Sequence, residues 1–260
     1  MVLACRDIEV SWYEVGLGEP VVLIHGLADD HRAWRKALPD LVLSRRVLLY
    51  DLRGHGATTL GQADGTLQQL GDDLIAWMDA IGLPKATIAG FSLGGTIAMR
   101  AAIDHPERIT ALALIATSSR VGKAAAEWYR LRAEMVVRND PALRDTLDAD
   151  TAQVYGNRPA EVSDGLEIRR SSTRDPRGYA NACRAMEGLN ARPLDPELGE
   201  IRARTLVVAG SADANCPPRA AEIIAAGIAG SRLEIVDDAG HTIPVEHGGR
   251  IADLILSLAG

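Results

Sequence analysis

Paired cysteines, long apolar runs and an excess of basic charge are all missing from this 260-residue chain. Its three cysteines, Cys5, Cys183 and Cys216, are odd in number, far apart and in no CxxC arrangement. That argues against a disulfide framework or a zinc knuckle and suits a reducing cytoplasm. No stretch approaches the roughly 18 apolar residues of a membrane-spanning helix. The start, MVLACRDIEV, has no basic segment leading into a long apolar one, so no secretory signal is read there. The net charge of −7 repels nucleic acid on average and leaves a small molecule as the better partner. No phosphate loop, dinucleotide fingerprint or metal-ligand cluster stands out, so no cofactor is expected. The adjacent Asp29, Asp30 and His31 read as a helix cap. Internal repeats and low-complexity segments are absent, and no pattern encodes an oligomeric state.

What is there is an ordinary globular composition, 47% hydrophobic and 24% charged, which excludes disorder and supplies a large core. The apolar residues fall in short runs: Val21–Ile24, Val47–Tyr50, Ala86–Ala89, Leu112–Ala116, Leu206–Ala209 and Leu233–Val236. Continuous runs of this kind mark strands buried on both faces, as in parallel sheets. Ile8–Val15 alternates and reads as an exposed antiparallel strand. Helical patterns occupy Thr66–Ile81, Thr96–Ile103, Arg219–Ile228 and Arg250–Leu258. The first carries Leu67, Leu70, Leu74, Ile75, Trp77 and Met78 near a 3.6-residue period. The second stops before His105-Pro106, where proline forbids continuation. The alternation predicts an α/β, doubly wound, mostly parallel sheet. From Ser118 to Pro196 no strand run is convincing, and the composition is helical with proline and glycine interruptions. The spacing therefore predicts a core of residues 1–117 and 197–260 with a helical insertion at 118–196. The insertion holds 13 Lys/Arg and 12 Asp/Glu, against 15 and 23 in the rest. That weakly favours an anionic substrate beneath it.

Gly90-Phe91-Ser92-Leu93-Gly94-Gly95 follows a strand run and precedes a helical one. A G-x-S-x-G in that setting is a nucleophile elbow: small neighbours let a strained turn lift the serine hydroxyl clear of the sheet. A hydroxyl is a poor nucleophile at neutral pH and needs a base. His241, in a loop after the last strand run, falls at the same end of the sheet as Ser92. His247 and His31 read as helix-start residues, His105 as structural and His55 as part of a turn. The imidazole needs an acid to fix its tautomer. Asp213, after the run ending at Gly210, gives the order Ser, Asp, His expected of this arrangement. Asp237 and Asp238 lie too near His241 in sequence to face it well. Acyl transfer also needs backbone donors for the developing oxyanion. Leu93, after the serine, supplies one, and Leu27, in His25-Gly26-Leu27-Ala28, is the choice for the other. His25 is expected to border the substrate or to shape this loop.

Over its whole length the chain resembles the α/β-hydrolase-fold serine hydrolases. His25-Gly26 resembles their oxyanion loop, Asp51-Leu52-Arg53-Gly54-His55-Gly56 their D-x-R-G-x-G turn, and Ser92, Asp213 and His241 their triad. Within them it is most similar to the 3-oxoadipate enol-lactonases, through Thr117–Gly122, the segment around Trp128 and Arg132, Gly178–Cys183 and Leu206–Gly210. One departure is His25-Gly26-Leu27-Ala28, where that family carries an Asn-Ser-Leu-Gly type loop. The resemblance implies an α/β-hydrolase fold with a cap and cytoplasmic hydrolysis of an ester or lactone from aromatic catabolism. Trp128, Arg130, Arg132 and Arg184 are candidates to bind the substrate, the arginines through a carboxylate. Two alternatives keep the fold. Carbon–carbon hydrolases are disfavoured by Thr242, where they carry tryptophan, and cofactor-free perhydrolases remain open. An aspartate nucleophile, as in epoxide hydrolases and dehalogenases, is excluded by Ser92. A third alternative, a ligand receptor with slow turnover, would keep the triad and bind a partner protein.

Overall fold

The computed structural model describes residues 1–156 and 158–258, with eight strands in one mixed sheet. The strands are β1 (Val2–Cys5), β2 (Ile8–Val15), β3 (Glu19–Ile24), β4 (Arg45–Tyr50), β5 (Ala86–Phe91), β6 (Ile109–Ile115), β7 (Arg204–Gly210) and β8 (Arg232–Val236). Their order across the sheet is β1-β2-β4-β3-β5-β6-β7-β8. The β1–β2 and β2–β4 pairs are antiparallel and the remaining pairs parallel. The six apolar runs correspond to β3–β8, and the alternating Ile8–Val15 is β2.

The core helices are α1 (Leu38–Leu41), α2 (Leu67–Ala80), α3 (Leu93–Asp104), α8 (Pro218–Gly227), α9 (Ile243–Glu246) and α10 (Gly248–Leu256). Between β6 and β7 lie α4 (Lys123–Val137), α5 (Leu143–Val154), α6 (Val162–Ser172) and α7 (Pro176–Gly188). Residues 118–196 contain no strand among those described.

The apolar runs are divided residue by residue between the two faces of the sheet, because successive strand side chains point in opposite directions. Val22, Ile24, Ile88, Leu112, Leu114 and Val207 pack with α2, α3 and α8 on one face. Val21, Leu23, Ala89, Phe91, Ala113, Ile115 and Val208 pack with α1, α9 and α10 on the other. A strand that feeds both cores has little room for a polar residue, which is why these runs are almost wholly apolar; the exception, Thr87 near the start of β5, is half-buried and meets Thr110 Oγ1 at 3.3 Å.

Among the strands, two depart from the sequence reading. β1 is too short to show a pattern and exists by pairing with β2 across a turn in which Arg6 takes φ +54°. β8 is an edge strand, so Ile235 and Glu234 retain solvent contact instead of being buried on both sides.

Candidate active site

Four loops leave the carboxyl edge of the sheet and meet over it: after β3 (His25–Asp30), after β5 (Ser92), after β7 (Ser211–Pro217) and after β8 (Asp237–Thr242). Ser92 sits between β5 and α3 at φ +52°, ψ −119°, a conformation costly for a residue with a side chain. Neighbouring groups hold it there. Its N–H donates to the Ile115 carbonyl at 2.9 Å, and its own carbonyl accepts from Thr117 Oγ1 at 2.7 Å. Only glycine fits beside it: a Cβ at Gly90 would lie 2.3 Å from the Gly94 carbonyl oxygen, and one at Gly94 would lie 2.3 Å from that of Ile24.

The strained turn aims the Ser92 hydroxyl at His241, with Oγ 3.1 Å from Nε2. The opposite ring nitrogen, Nδ1, donates to Asp213 Oδ2 at 2.9 Å. That fixes the tautomer in which Nε2 carries a free lone pair. Asp213 is wholly buried, and its second oxygen accepts the N–H groups of Asn215 and Cys216 at 2.8 and 2.9 Å. Three groups separated by up to 149 residues thus form one hydrogen-bonded row. The arrangement can move a proton from serine to imidazole and hold the imidazolium against a carboxylate.

The loop after β3 turns sharply, with Ala28 at φ +64° and Asp29 N–H donating to the Gly26 carbonyl at 3.3 Å. The Leu27 and Leu93 amides meet no acceptor among the described residues, so both are free to donate to a ligand.

A cavity of about 380 Å³ opens over Ser92 and His241. Its floor is Gly26–Asp29, Phe91, Asn215 and Cys216, and its roof is Ala125, Trp128 and Tyr129 of α4, Leu147, Asp150, Thr151, Gln153 and Val154 of α5, Arg169 of α6 and Tyr179 of α7. Burial pushes the phenol of Tyr129 and the thiol of Cys216 up, so both stay neutral.

The other sequence candidates fare differently. Trp128 does line the cavity. His25 does not: it is buried, Nδ1–H donates to the Gly26 carbonyl at 2.8 Å, and Nε2 accepts from Leu52 N–H at 2.9 Å, which leaves it no atom for a substrate. It braces the loop. Arg130 is also removed, since it is tied on the outside of α4 to Glu127 and Glu134 one turn away on either side. Arg184 points outward from α7, its aliphatic stem against Gly65. Arg132 lies one layer behind the wall, bound through Nε and Nη2 to Asp150 at 2.8 Å each, its guanidinium 4.8 Å over the Trp128 ring. The arginine that reaches the cavity is Arg169, absent from the sequence reading. His31 opens a short 3₁₀ helix, His105 ends α3 and His247 precedes α10. His55 donates to the Arg53 carbonyl within its turn. Asp30, His31 and Asp51 gather within 4.8 Å, but they are engaged in turn scaffolding. Asp30 caps the 3₁₀ helix at Arg32 N–H, and Asp51 accepts from His31 Nδ1 at 2.8 Å.

Glu246 is a second residue the sequence reading missed. Its carboxylate is wholly buried and accepts from Gly240 N–H at 2.8 Å and Thr242 Oγ1 at 2.9 Å, gripping both neighbours of His241.

Residues 19–248 match the alpha/beta hydrolase fold family. The chain is 29% identical to 3-oxoadipate enol-lactonase 2 of Acinetobacter baylyi over 94% of its own length and 90% of the relative's. It is 28% identical to the 2-hydroxymuconate semialdehyde hydrolase of Pseudomonas sp. strain CF600, over 97% and 91% of the two chains. The crystal structure of the enol-lactonase from Burkholderia xenovorans LB400 superposes with a TM-score of 0.89 at 26% identity, covering 99% of each chain.

Proposed function

The chain belongs to the alpha/beta hydrolase fold family, and on that footing we propose that it is a serine hydrolase of carboxylic esters or lactones. The observation that carries this reading is the row of Ser92, His241 and Asp213 at the floor of a cavity roofed by α4–α7. In this reading α4–α7 form a cap over a catalytic core. Ser92 Oγ attacks the ester carbonyl as His241 Nε2 takes its proton. The negative charge gathering on the carbonyl oxygen is met by the Leu27 and Leu93 amides, each worth on the order of 10²–10³ in rate. Asp213 steadies the imidazolium. His241 then returns the proton to the departing alkoxide, leaving an ester of Ser92. Water, deprotonated by His241, attacks that ester and releases the acid and the free serine. No resident cofactor is needed at any step.

The enol-lactonase relative supports a lactone as one substrate form. Thr242 bears against the carbon–carbon reading suggested by the semialdehyde hydrolase relative: its hydroxyl is committed to Glu246 beside the histidine. Three free cysteines, two of them buried, support action in the cytoplasm. Ser92→Ala should cut kcat for a phenyl ester by about 10⁴-fold or more while leaving the melting temperature unchanged. A fluorophosphonate should attach to Ser92 in the native protein alone. Persistent hydrolysis by the folded alanine variant would sink the mechanism.

A further inference from the structure

The charged groups around the cavity over Ser92 cancel one another. Two carboxylates, Asp29 and Asp150, and one guanidinium, Arg169, line it. Asp29 Oδ1 accepts from Arg169 Nε at 3.0 Å, and Oδ2 lies 3.5 Å from Nη2, with 2% of the aspartate and 12% of the arginine side chain exposed. Asp150 gives both oxygens to Arg132 behind the wall. Tyr129, Tyr179 and Cys216 add no charge, since burial favours their neutral forms. The remaining charged group is the Asp213 carboxylate behind His241. Among the described residues the cavity therefore holds no uncompensated cation, and with Arg132 behind the wall and Asp213 both counted its formal charge is −1 while the imidazole is neutral.

Resting on the esterase reading above, we propose that this cavity selects uncharged acyl groups and rejects those ending in a carboxylate. A carboxylate entering it would be buried as one more anion. Taking Arg169 for itself would strand Asp29 in the wall, and an unpaired buried carboxylate is among the most costly groups a protein can hold. A neutral oxygen meets no such cost. Arg169 Nη1 finds no acceptor among the described residues, and the Gln153 amide lines the same cavity, whereas Thr151 and Thr173 give their hydroxyl protons to the carbonyls of Leu147 and Arg169. A keto, ether or ester oxygen on the acyl chain is thus offered donors without being asked to bring charge. Asp29 is the determinant of this selectivity: it turns the buried arginine from an anion receptor into a dipolar donor.

The test compares two esters of equal chain length, phenyl valerate and the monophenyl ester of glutaric acid, with the full-length protein. The wild type should favour the valerate by about 100-fold or more in kcat/KM. Asp29→Asn keeps an amide oxygen for Arg169 Nε but removes the charge, so the ratio should fall by about 10-fold or more. Because both esters share the same oxyanion loop, any general loosening of that loop cancels in the ratio. Asp150→Asn, which frees Arg132, should shift the ratio in the same direction and guards against poor folding of the first variant. Comparable or better turnover of the glutarate ester by the wild type overturns the inference, as does an unchanged ratio in folded Asp29→Asn. Absence of Ser92-dependent hydrolysis of both esters overturns the esterase reading itself, and the inference with it.

Discussion

Glu246 holds the residues on either side of His241 while touching neither the ring nor the cavity. Its removal leaves a buried N–H and a buried hydroxyl without acceptors and frees the backbone that keeps Nε2 3.1 Å from Ser92 Oγ. Small errors in that distance are costly in rate. Glu246→Ala should lower kcat about 10- to 100-fold with little change in KM. Glu246→Gln, which keeps one acceptor, should recover most of the loss. A change confined to KM, or a glutamine variant no better than alanine, would show that the carboxylate does not position the histidine. This residue was illegible in the sequence because it lies in the four-residue α9, where no periodicity can form. Arg169 was illegible for another reason. An arginine on a helix declares neither its face nor its partner, and the cation that reaches the cavity is decided by how α6 packs. Arg130 and Arg132 are equally able to pair with a substrate carboxylate by residue type, yet both are committed to carboxylates of the protein. The convergence of Ser92, Asp213 and His241 was legible because each follows a strand run, and a parallel sheet brings such positions to one edge.

The elbow between β5 and α3 is where sequence and packing constrain each other most tightly. The helical pattern suggested a start near Thr96, yet α3 begins at Leu93 because Ser92 serves as its N-cap residue. Glycine at 94 lets α3 approach the end of β3. A methyl there would stand 2.3 Å from the Ile24 carbonyl oxygen and 2.7 Å from that of His25, both backbone atoms with no rotamer to escape into. Gly94→Ala should therefore cost about 3 kcal/mol or more, read as a lowered denaturant midpoint. It should also impair turnover, since the displaced strand carries the Leu27 loop. A midpoint equal to the wild type would mean the two elements are not in the contact described. The buried strands were readable for the complementary reason: β3 to β7 feed two cores at once and so carry almost wholly apolar runs. β1 and β8, at the sheet edges, are freed from that demand and signal weakly or misleadingly.

For the molecule as a whole, the sheet edge supplies the chemistry and the helices from 123 to 188 supply the enclosure. The turn Asp51–Gly56 ties the two together. Arg53 is buried there between Asp7 and Asp73, and the Gly56 N–H donates to the carbonyl of Ser172 at the end of α6. His55 lies in that turn, 1% exposed, with Nδ1–H on the Arg53 carbonyl and Nε2 without a partner among the described residues. Burial, aided by the nearby His25, pushes its pKa down to about 4. The unfolded chain takes up a proton at this residue as pH falls through about 6.5, whereas the folded protein resists until about pH 4. The unfolded state binds more protons throughout that window, so stability is intact above it and is lost as the pH drops. The loss attributable to this one imidazole is on the order of 3 kcal/mol. His55→Asn retains a donor for the Arg53 carbonyl and carries no titratable group. Denaturant unfolding of the two proteins between pH 7.5 and pH 4.5 should give a shallower decline for the variant. Parallel declines would mean that His55 charges as easily inside the fold as outside it, and that the turn opens to water well before the core does.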